Sequence, residues 1–501
     1  MTELKSAGAT YQTADADYFE KRGLKRHARV WSLWALGVGA VISGQFSGWN
    51  LGLAAGGWGG MFIAALIVAV MYWSLCFSLS ELSPALPHTG GAYSFARATL
   101  GPFGGFVTGL AESIEYIMTP AVIVFFIGNY LSAIFDTPAS FAPVWWVASY
   151  ALFGWLNYAG VELSFKVSIV VTLLALAILT VFCVSALPSA DFSRWALNIG
   201  AGPDGRMVEL PQGGGPWLPF GLSGAFAALP FAVWLFLGIE ELPLAAEEAH
   251  EPEKDMPKAL LLGMATLLLF AIAVMYCNAA IGGEAAGQLR GGFALAKSGE
   301  PLLDGFRTLY GTNAARLLSV CAVIGLAASF HTIIFAYSRQ IYSLSRAGYY
   351  PPVLSLTDGV RKTPYAALVG GSAAGLAVLL LVWFTSGPEA GSVLIGGSLL
   401  NMAVFGAMIS YAFQALSFIL LRVQQPELPR PYRSPFGIPG AVLTIALALW
   451  TMFYQLRDPA YTQGVYAALA WYALGVLYFA LIGRHRLVLS PEEQFALASR
   501  E

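Results

Sequence analysis

Apolar residues run through this chain in blocks that outlast any core element of a soluble domain. Twelve stretches, near residues 31–55, 60–83, 103–135, 143–160, 163–187, 218–245, 259–282, 314–344, 365–385, 391–421, 437–457 and 463–483, are each long enough to cross a hydrocarbon layer of ~30 Å as a helix. No linker-like stretch separates them between Trp31 and Gly483. The pattern predicts an all-α integral membrane protein with twelve transmembrane helices over residues 31–483, a polar tail at 1–30 and another at 484–501. The first 30 residues carry no short apolar core or small-residue cleavage site, so no cleavable signal is expected. Residues 1 to 17 read as disordered.

Two of the twelve spans are interrupted, in corresponding places. The first is broken by Ser43-Gly44-Gln45-Phe46-Ser47-Gly48, the sixth around Leu229-Pro230-Phe231-Ala232-Val233. Each opens a block of five spans, 31–187 and 218–421, and 437–483 is left as a final pair. Five is odd, so the two blocks enter the membrane from opposite faces, as an inverted repeat. Non-helical backbone at membrane depth is tolerated only where it is buried in protein or lines a cavity. A pair of matching broken helices is the mark of a secondary transporter with its site near the midplane. The final pair has no counterpart and is expected at the periphery or an oligomer contact; oligomeric state is not readable. The outer loops Ser189–Trp217 and Gly283–Asn313 are rich in glycine and read as irregular or gate-like.

Composition agrees: 57% of residues are hydrophobic and only 11% charged. Most of the 27 Lys and Arg fall on the side of the termini, led by Lys21, Arg22, Lys25, Arg26 and Arg29. The positive-inside rule therefore puts both ends in the cytoplasm of a cell-membrane protein. Cys76, Cys183, Cys277 and Cys321 all lie in apolar spans at spacings that match no metal site or disulfide framework. A net charge of −2 leaves no nucleic-acid footprint. No nucleophile–base arrangement, phosphate loop or metal-ligand cluster is present, so no enzyme activity, cofactor or metal is expected. Gly37 and Gly39 form a G-x-G pattern within a span, where small residues serve helix packing.

Four motifs carry a resemblance to the amino acid–polyamine–organocation superfamily over essentially the whole chain. They are Gly37-Val-Gly39-Ala-Val-Ile42-Ser43-Gly44; Glu81-Leu-Ser-Pro-Ala-Leu-Pro87-His-Thr-Gly90-Gly91-Ala-Tyr93 with Leu100-Gly101-Pro102; Gly238-Ile-Glu240 with Ala246-Glu247-Glu248 and Asp255-Met-Pro257-Lys258-Ala259; and Ser338-Arg339 with Ser345-Arg346-Ala-Gly348 and Thr363-Pro364. Within it, Ile42 to Asn50 with Gly56-Gly57-Trp58-Gly59-Gly60, and Gly109-Leu-Ala-Glu112-Ser-Ile-Glu115-Tyr116 with Thr119-Pro120-Ala121 and Phe125-Phe126-Ile-Gly128, resemble ethanolamine permeases. Two departures stand out. The family's Gly-Ser-Gly at the first break, which holds a substrate carboxylate, is replaced by Ser43-Gly44-Gln45. The lysine many members carry in helix five falls on Ala175.

The resemblance implies uptake of ethanolamine or a similar small hydroxylated amine, driven by protons, with exchange or facilitated diffusion as other drives. An amino acid permease or exchanger is the alternative, and a sensor that binds the amine without moving it a more distant one. The expected partners are the amine, a proton and the lipid bilayer. Ionisable groups inside a bilayer are costly and mark function by default. Glu112 and Glu115, three apart, share a face of the third helix, and about 18 Å of helix rise places Glu115 near the midplane. Glu115, with Tyr116 beside it, is expected to face a substrate ammonium in the region that lines the family's site; the alternative is a structural glutamate bonded between helices. Ser43, Gly44 and Gln45 would contribute the first break, and Phe46, Phe231 and Trp234 aromatic faces for a cation, Trp234 matching the family's gating aromatic. Glu240, then Glu112 and His331, are the proton-coupling candidates. For Glu240 the alternative is a fixed acceptor between helices, and for His331 a packing residue. Glu241 carries no assigned role, and Glu247 and Glu248 are expected at the cytoplasmic surface.

Overall fold

A computed structural model of the chain describes residues 3–498 except 7, 15, 89, 198, 202–206, 210–216, 286–287, 291 and 458–461. Parts of the two long outer loops fall outside the described residues. The remainder of those loops forms short antiparallel pairs, Ile199–Ala201 with Met207–Glu209 and Gly283–Ala285 with Gln288–Arg290, and short helices.

The first span, α1, is helical over Val30–Val41 and again over Ser43–Phe46. Ser47 is then extended and Gly48 takes φ +97°, a conformation that favours glycine. A Cβ at Gly48 would also lie 2.4 Å from the Trp234 indole nitrogen, so a second constraint excludes a side chain there. The backbone loosened by the break finds partners in protein. Ser43 N–H donates to Ser329 Oγ at 2.8 Å, and that hydroxyl donates to Gly39 O at 2.7 Å. A short turn, Trp49–Leu51, leads into α2, Gly52–Ala85.

The sixth span, α6, is helical over Gly221–Ala227 and Leu229–Trp234, and resumes as a 3₁₀ helix over Ile239–Glu248. Its unwound section is therefore Leu235–Gly238, just beyond the expected Leu229–Val233. Pro230 sits in the first turn of a helical segment, where a missing N–H costs nothing. Gly238, at φ +114°, makes the turn instead.

The other spans are α3 (Ala92–Phe135), α4 (Ala142–Tyr158), α5 (Val161–Ala186), α7 (Pro252–Ala279), α8 (Pro301–Arg346), α9 (Tyr365–Val393), α10 (Leu400–Gln424), α11 (Gly437–Arg457) and α12 (Thr462–Leu481). Non-helical glycines at 101, 311 and 387 divide short flanking segments from the spans of α3, α8 and α9. Ten helical runs among the described residues are long and apolar enough to cross a membrane, and the shorter α1 and α4 complete the twelve. α3 packs against α8 and α10, and α1 against α5, α7 and α8. Trp450, Leu474 and Tyr466 on the final pair stay exposed, as on a lipid-facing rim.

Both chain ends meet on one face. Strand β1 (Glu3–Ser6) pairs antiparallel with β2 (Ala9–Gln12), and β2 pairs in parallel with β3 (Leu487–Val488). A last helix, α13 (Pro491–Ala498), turns Glu492 and Glu493 into the fold. Glu493 pairs with Arg97 at 2.5 Å and accepts from Tyr93 and Tyr349, while Arg97 also donates to the Tyr11 hydroxyl at 2.7 Å. Glu492 pairs with Arg346 and accepts from Ser343. The order in residues 3–6 and 8–14 thus corrects the expectation of disorder there, residues 1, 2, 7 and 15 lying outside the described residues: strand partner and buried tyrosine contact come from the far end of the chain and from α3.

Candidate functional site

The breaks of α1 and α6 lie against each other. A Cβ at Gly44 would fall 2.4 Å from the Trp234 carbonyl oxygen, so only glycine permits this approach. Gln45 bridges the two breaks: its amide Nε2 donates to Leu235 O at 3.0 Å, leaving Oε1 buried and without a hydrogen-bond partner. Among backbone donors of the α1 break, Gln45 N–H goes to Ile42 O and Ser47 N–H to Ser43 O, beside the Ser43–Ser329 bond. Trp234 donates its indole N–H to Ser47 O at 3.1 Å and closes over the break. Phe46 sends its ring against Gly325 of α8, and its carbonyl accepts from Tyr130. Phe231 sits beside Gly52 at the start of α2.

Next to these breaks lie four buried glutamates: Glu112 and Glu115 of α3, and Glu240 and Glu241 of α6, none more than 5% exposed. Glu115 and Glu240 are close enough for their carboxyl groups to interact directly. Glu115 Oε1 accepts from Tyr411 of α10 at 3.3 Å, and Tyr411 shares a 2.9 Å hydrogen bond with Tyr72 of α2. Glu240 accepts from the Gly238 N–H through both oxygens, at 3.2 and 3.1 Å, so it caps the unwound section of α6. Glu112 accepts from Tyr116 at 3.2 Å. Oε2 of Glu112, Glu115 and Glu241 has no hydrogen-bond partner.

The other buried glutamates show what is missing. Glu81 pairs with Arg422 and Arg430, Glu248 with Arg339, Glu492 with Arg346 and Glu493 with Arg97. Each of these carries an arginine, whereas no Lys or Arg ion pair reaches the central four among the described residues. A buried charge without a partner is heavily penalised. Among the described residues, these four acids are thus buried without the cationic partner that the other buried glutamates have.

Both approaches to the cluster are closed. Toward the face that carries the termini, Glu248 Oε1 meets Arg339 Nη2 at 3.0 Å, and Glu248 O accepts from His27 and Ala28 N–H. Glu247 pairs with Arg346 at 2.6 Å. Both glutamates were expected at the surface; arginines from α8, about ninety residues on, draw Glu248 fully inside and leave Glu247 partly covered. On the opposite side Asn50 donates to Leu295 O at 2.6 Å and Ser298 O at 2.9 Å, tying the α1 exit to the loop before α8.

His331 stands apart from the glutamates. Asn157 donates to its Nδ1 at 3.0 Å and its Nε2 lies 3.1 Å from both Ser164 Oγ and Ser164 O, a network joining α4, α5 and α8. Ala175 is buried in α5, where Thr172 one turn earlier bonds Ala35 O of α1. The sequence reading missed Tyr72, Tyr411 and Ser329. A hydroxyl in the middle of an apolar span was the available signal.

Two helices broken face to face, wrapped by continuous ones and closed at both ends, define a membrane transporter. The chain belongs to the amino acid permease family, which matches residues 29–481. It is 28% identical to an uncharacterized transporter of Rhizobium meliloti (strain 1021), over 89% of this chain and 90% of that one. It is 23% identical to the methylthioribose transporter of Bacillus subtilis (strain 168), over 94% and 96% of the two chains. Among solved structures, a manganese transporter of Eremococcus coleocola superposes with TM-score 0.52, covering 97% of this chain and 99% of that one at 12% identity. That likeness concerns the fold alone.

Proposed function

We propose that the protein takes up ethanolamine, or a similar small hydroxylated amine, across the cytoplasmic membrane by alternating access, with both termini in the cytoplasm and protons as the drive. The observation that carries this reading is the set of four buried glutamates without arginine partners, against four others that each have one. A substrate ammonium is the cation such a site lacks. Glu115 is its counter-ion, Gln45 Oε1 and the neighbouring carbonyls accept from it or from the hydroxyl, and Phe46, Phe231 and Trp234 supply apolar walls and the lid. Glu240, which touches both Glu115 and the α6 turn, couples protonation to the helix that must move. The donors at the α1 break that would hold a carboxylate are engaged: Ser43 N–H with Ser329, and the Gln45 amide with Leu235.

An amino acid permease or exchanger is the second reading, favoured by the family to which the chain belongs. Uptake into proteoliposomes under an imposed pH gradient separates the two. Labelled ethanolamine uptake should be blocked by excess ethanolamine and left intact by neutral amino acids. Uptake of a neutral amino acid, unaffected by ethanolamine, would establish the second reading.

A further inference from the structure

Arg22, Arg97, Arg339 and Arg346 are the buried arginines among the described residues, none more than 8% exposed. Three of them pair with glutamates: Arg97 with Glu493, Arg339 with Glu248, and Arg346 with Glu247 and Glu492. Arg22 is the exception. Its Nε donates to Ser355 Oγ at 2.7 Å, its Nη1 to Tyr18 O at 3.0 Å and its Nη2 to Pro352 O at 3.2 Å. Its guanidinium lies 3.7 Å from the centre of the Tyr18 ring. The three acceptors are neutral, and no acid pairs with Arg22 among the described residues. A guanidinium has five N–H groups, so two are left over. Burying a charge without a counter-charge is costly. Arg22 also lines a cavity of about 900 Å³ on the face that carries the termini, within the ~300–1,000 Å³ usual for small-molecule sites. The N-terminal segment, the turn after α8, the end of α12 and β3 form its wall. Lys21 and Arg486 add two cations to that wall and Tyr478 a phenol ring. Asp17 is its one carboxylate, and it is bound to Lys21 at 2.6 Å. Arg486 has no ion pair among the described residues. Three cations against one acid leave the lining with a surplus of positive charge.

We propose that this cavity binds a phosphate group, carried either by an anionic lipid headgroup or by a free phosphate compound. Arg22 and Arg486 offer planar N–H forks that match phosphate oxygens, and Lys21 a point charge. Three cations around one space suit an oxyanion with several acceptor oxygens. The site is wired to the closure below the glutamates and is independent of what the transporter carries. The Tyr18 hydroxyl donates to Arg346 O at 3.0 Å. The Tyr342 hydroxyl accepts from Arg346 at 3.1 Å and donates to Arg22 O. Arg346 in turn holds Glu247. A bound phosphate therefore braces the segment on which that closure rests.

Amide hydrogen exchange over residues 16–28 of the full-length protein in lipid nanodiscs reads the site, because a ligand that ties this segment down slows its opening. One arm titrates inorganic phosphate into phosphatidylcholine discs, against potassium chloride at equal ionic strength. The other replaces part of the phosphatidylcholine with phosphatidylglycerol and adds no phosphate. Protection in the first arm assigns the site to a free phosphate compound, and protection in the second alone assigns it to a lipid headgroup. In either arm Arg22→Gln should abolish the protection. Arg486→Gln should weaken it about tenfold, the loss of one charge-assisted hydrogen bond. Arg484→Gln, an exposed cation outside the cavity, should leave it unchanged. Should Arg22→Gln fail to fold, Arg486→Gln decides, since that side chain is exposed. No protection in both arms, or protection that survives Arg486→Gln, overturns the proposal. So does an equal loss in Arg484→Gln, which would assign the effect to diffuse surface charge.

Discussion

Replacing Glu115 by glutamine removes one charge and almost no volume. The side chain is 1% exposed, its Oε1 accepts from Tyr411 at 3.3 Å, and its Oε2 has no donor among the described residues. An ammonium bound there would be about 4 Å from the carboxylate, where an effective dielectric of ~20 gives roughly 4 kcal/mol of attraction. Breaking a buried pair by removing one partner costs about 3–5 kcal/mol in measured cases. Glu240 stands close by and retains part of the field, so the lower end of that range applies. A loss of about 2.7 kcal/mol corresponds to a hundredfold weaker binding. Glu115→Gln should therefore bind ethanolamine at least a hundredfold more weakly by calorimetry on folded protein. Glu112→Gln, a turn further in, should lose less. Binding within tenfold of the unaltered protein in Glu115→Gln would refute the ion-pair reasoning and assign the cation to aromatic faces and backbone carbonyls.

Glu240→Gln should lose uptake driven by a pH gradient while retaining exchange of amine for amine; unchanged gradient dependence in vesicles would remove Glu240 from coupling. Gly44→Ala places a methyl 2.4 Å from Trp234 O and should separate the two broken helices. Transport should fall at least tenfold although the protein still reaches the membrane, and normal transport would show that the breaks need not touch. Arg97→Ala leaves Glu493 buried without its cation, a change of about 3–5 kcal/mol. Limited proteolysis should then cut the C-terminal tail near α13 much faster; unchanged protection would mean that the strand pairing alone holds the tail.

The spans were legible because an apolar run of ~20 residues in a chain with so few charges has few other uses. The α1 break was legible at Ser47-Gly48, where the helix ends, whereas Ser43–Phe46, read as part of the break, forms a further helical turn. The α6 break was misplaced because Pro230 looks like a breaker and is one only beyond a helix's first turn. The turn itself hinges on Gly238, whose positive φ leaves no local trace. The tails could not be read, because β2 finds its partner at Leu487–Val488 and Tyr11 meets Arg97 only in three dimensions. Glu115 and Glu240 stood out as acids inside apolar runs. That they adjoin each other, and that Glu248 is paired while they are not, depends on packing between spans far apart in sequence.

Counterflow in proteoliposomes tests the central claim, that the buried carboxylates hold a substrate cation and carry it across. Vesicles loaded with unlabelled ethanolamine and diluted into a trace of labelled ethanolamine should accumulate label transiently. Vesicles loaded with ethylene glycol, which lacks the ammonium, or with a neutral amino acid should not. Accumulation driven by the amino acid and not by ethanolamine, or the same accumulation in Glu115→Gln, would contradict the account.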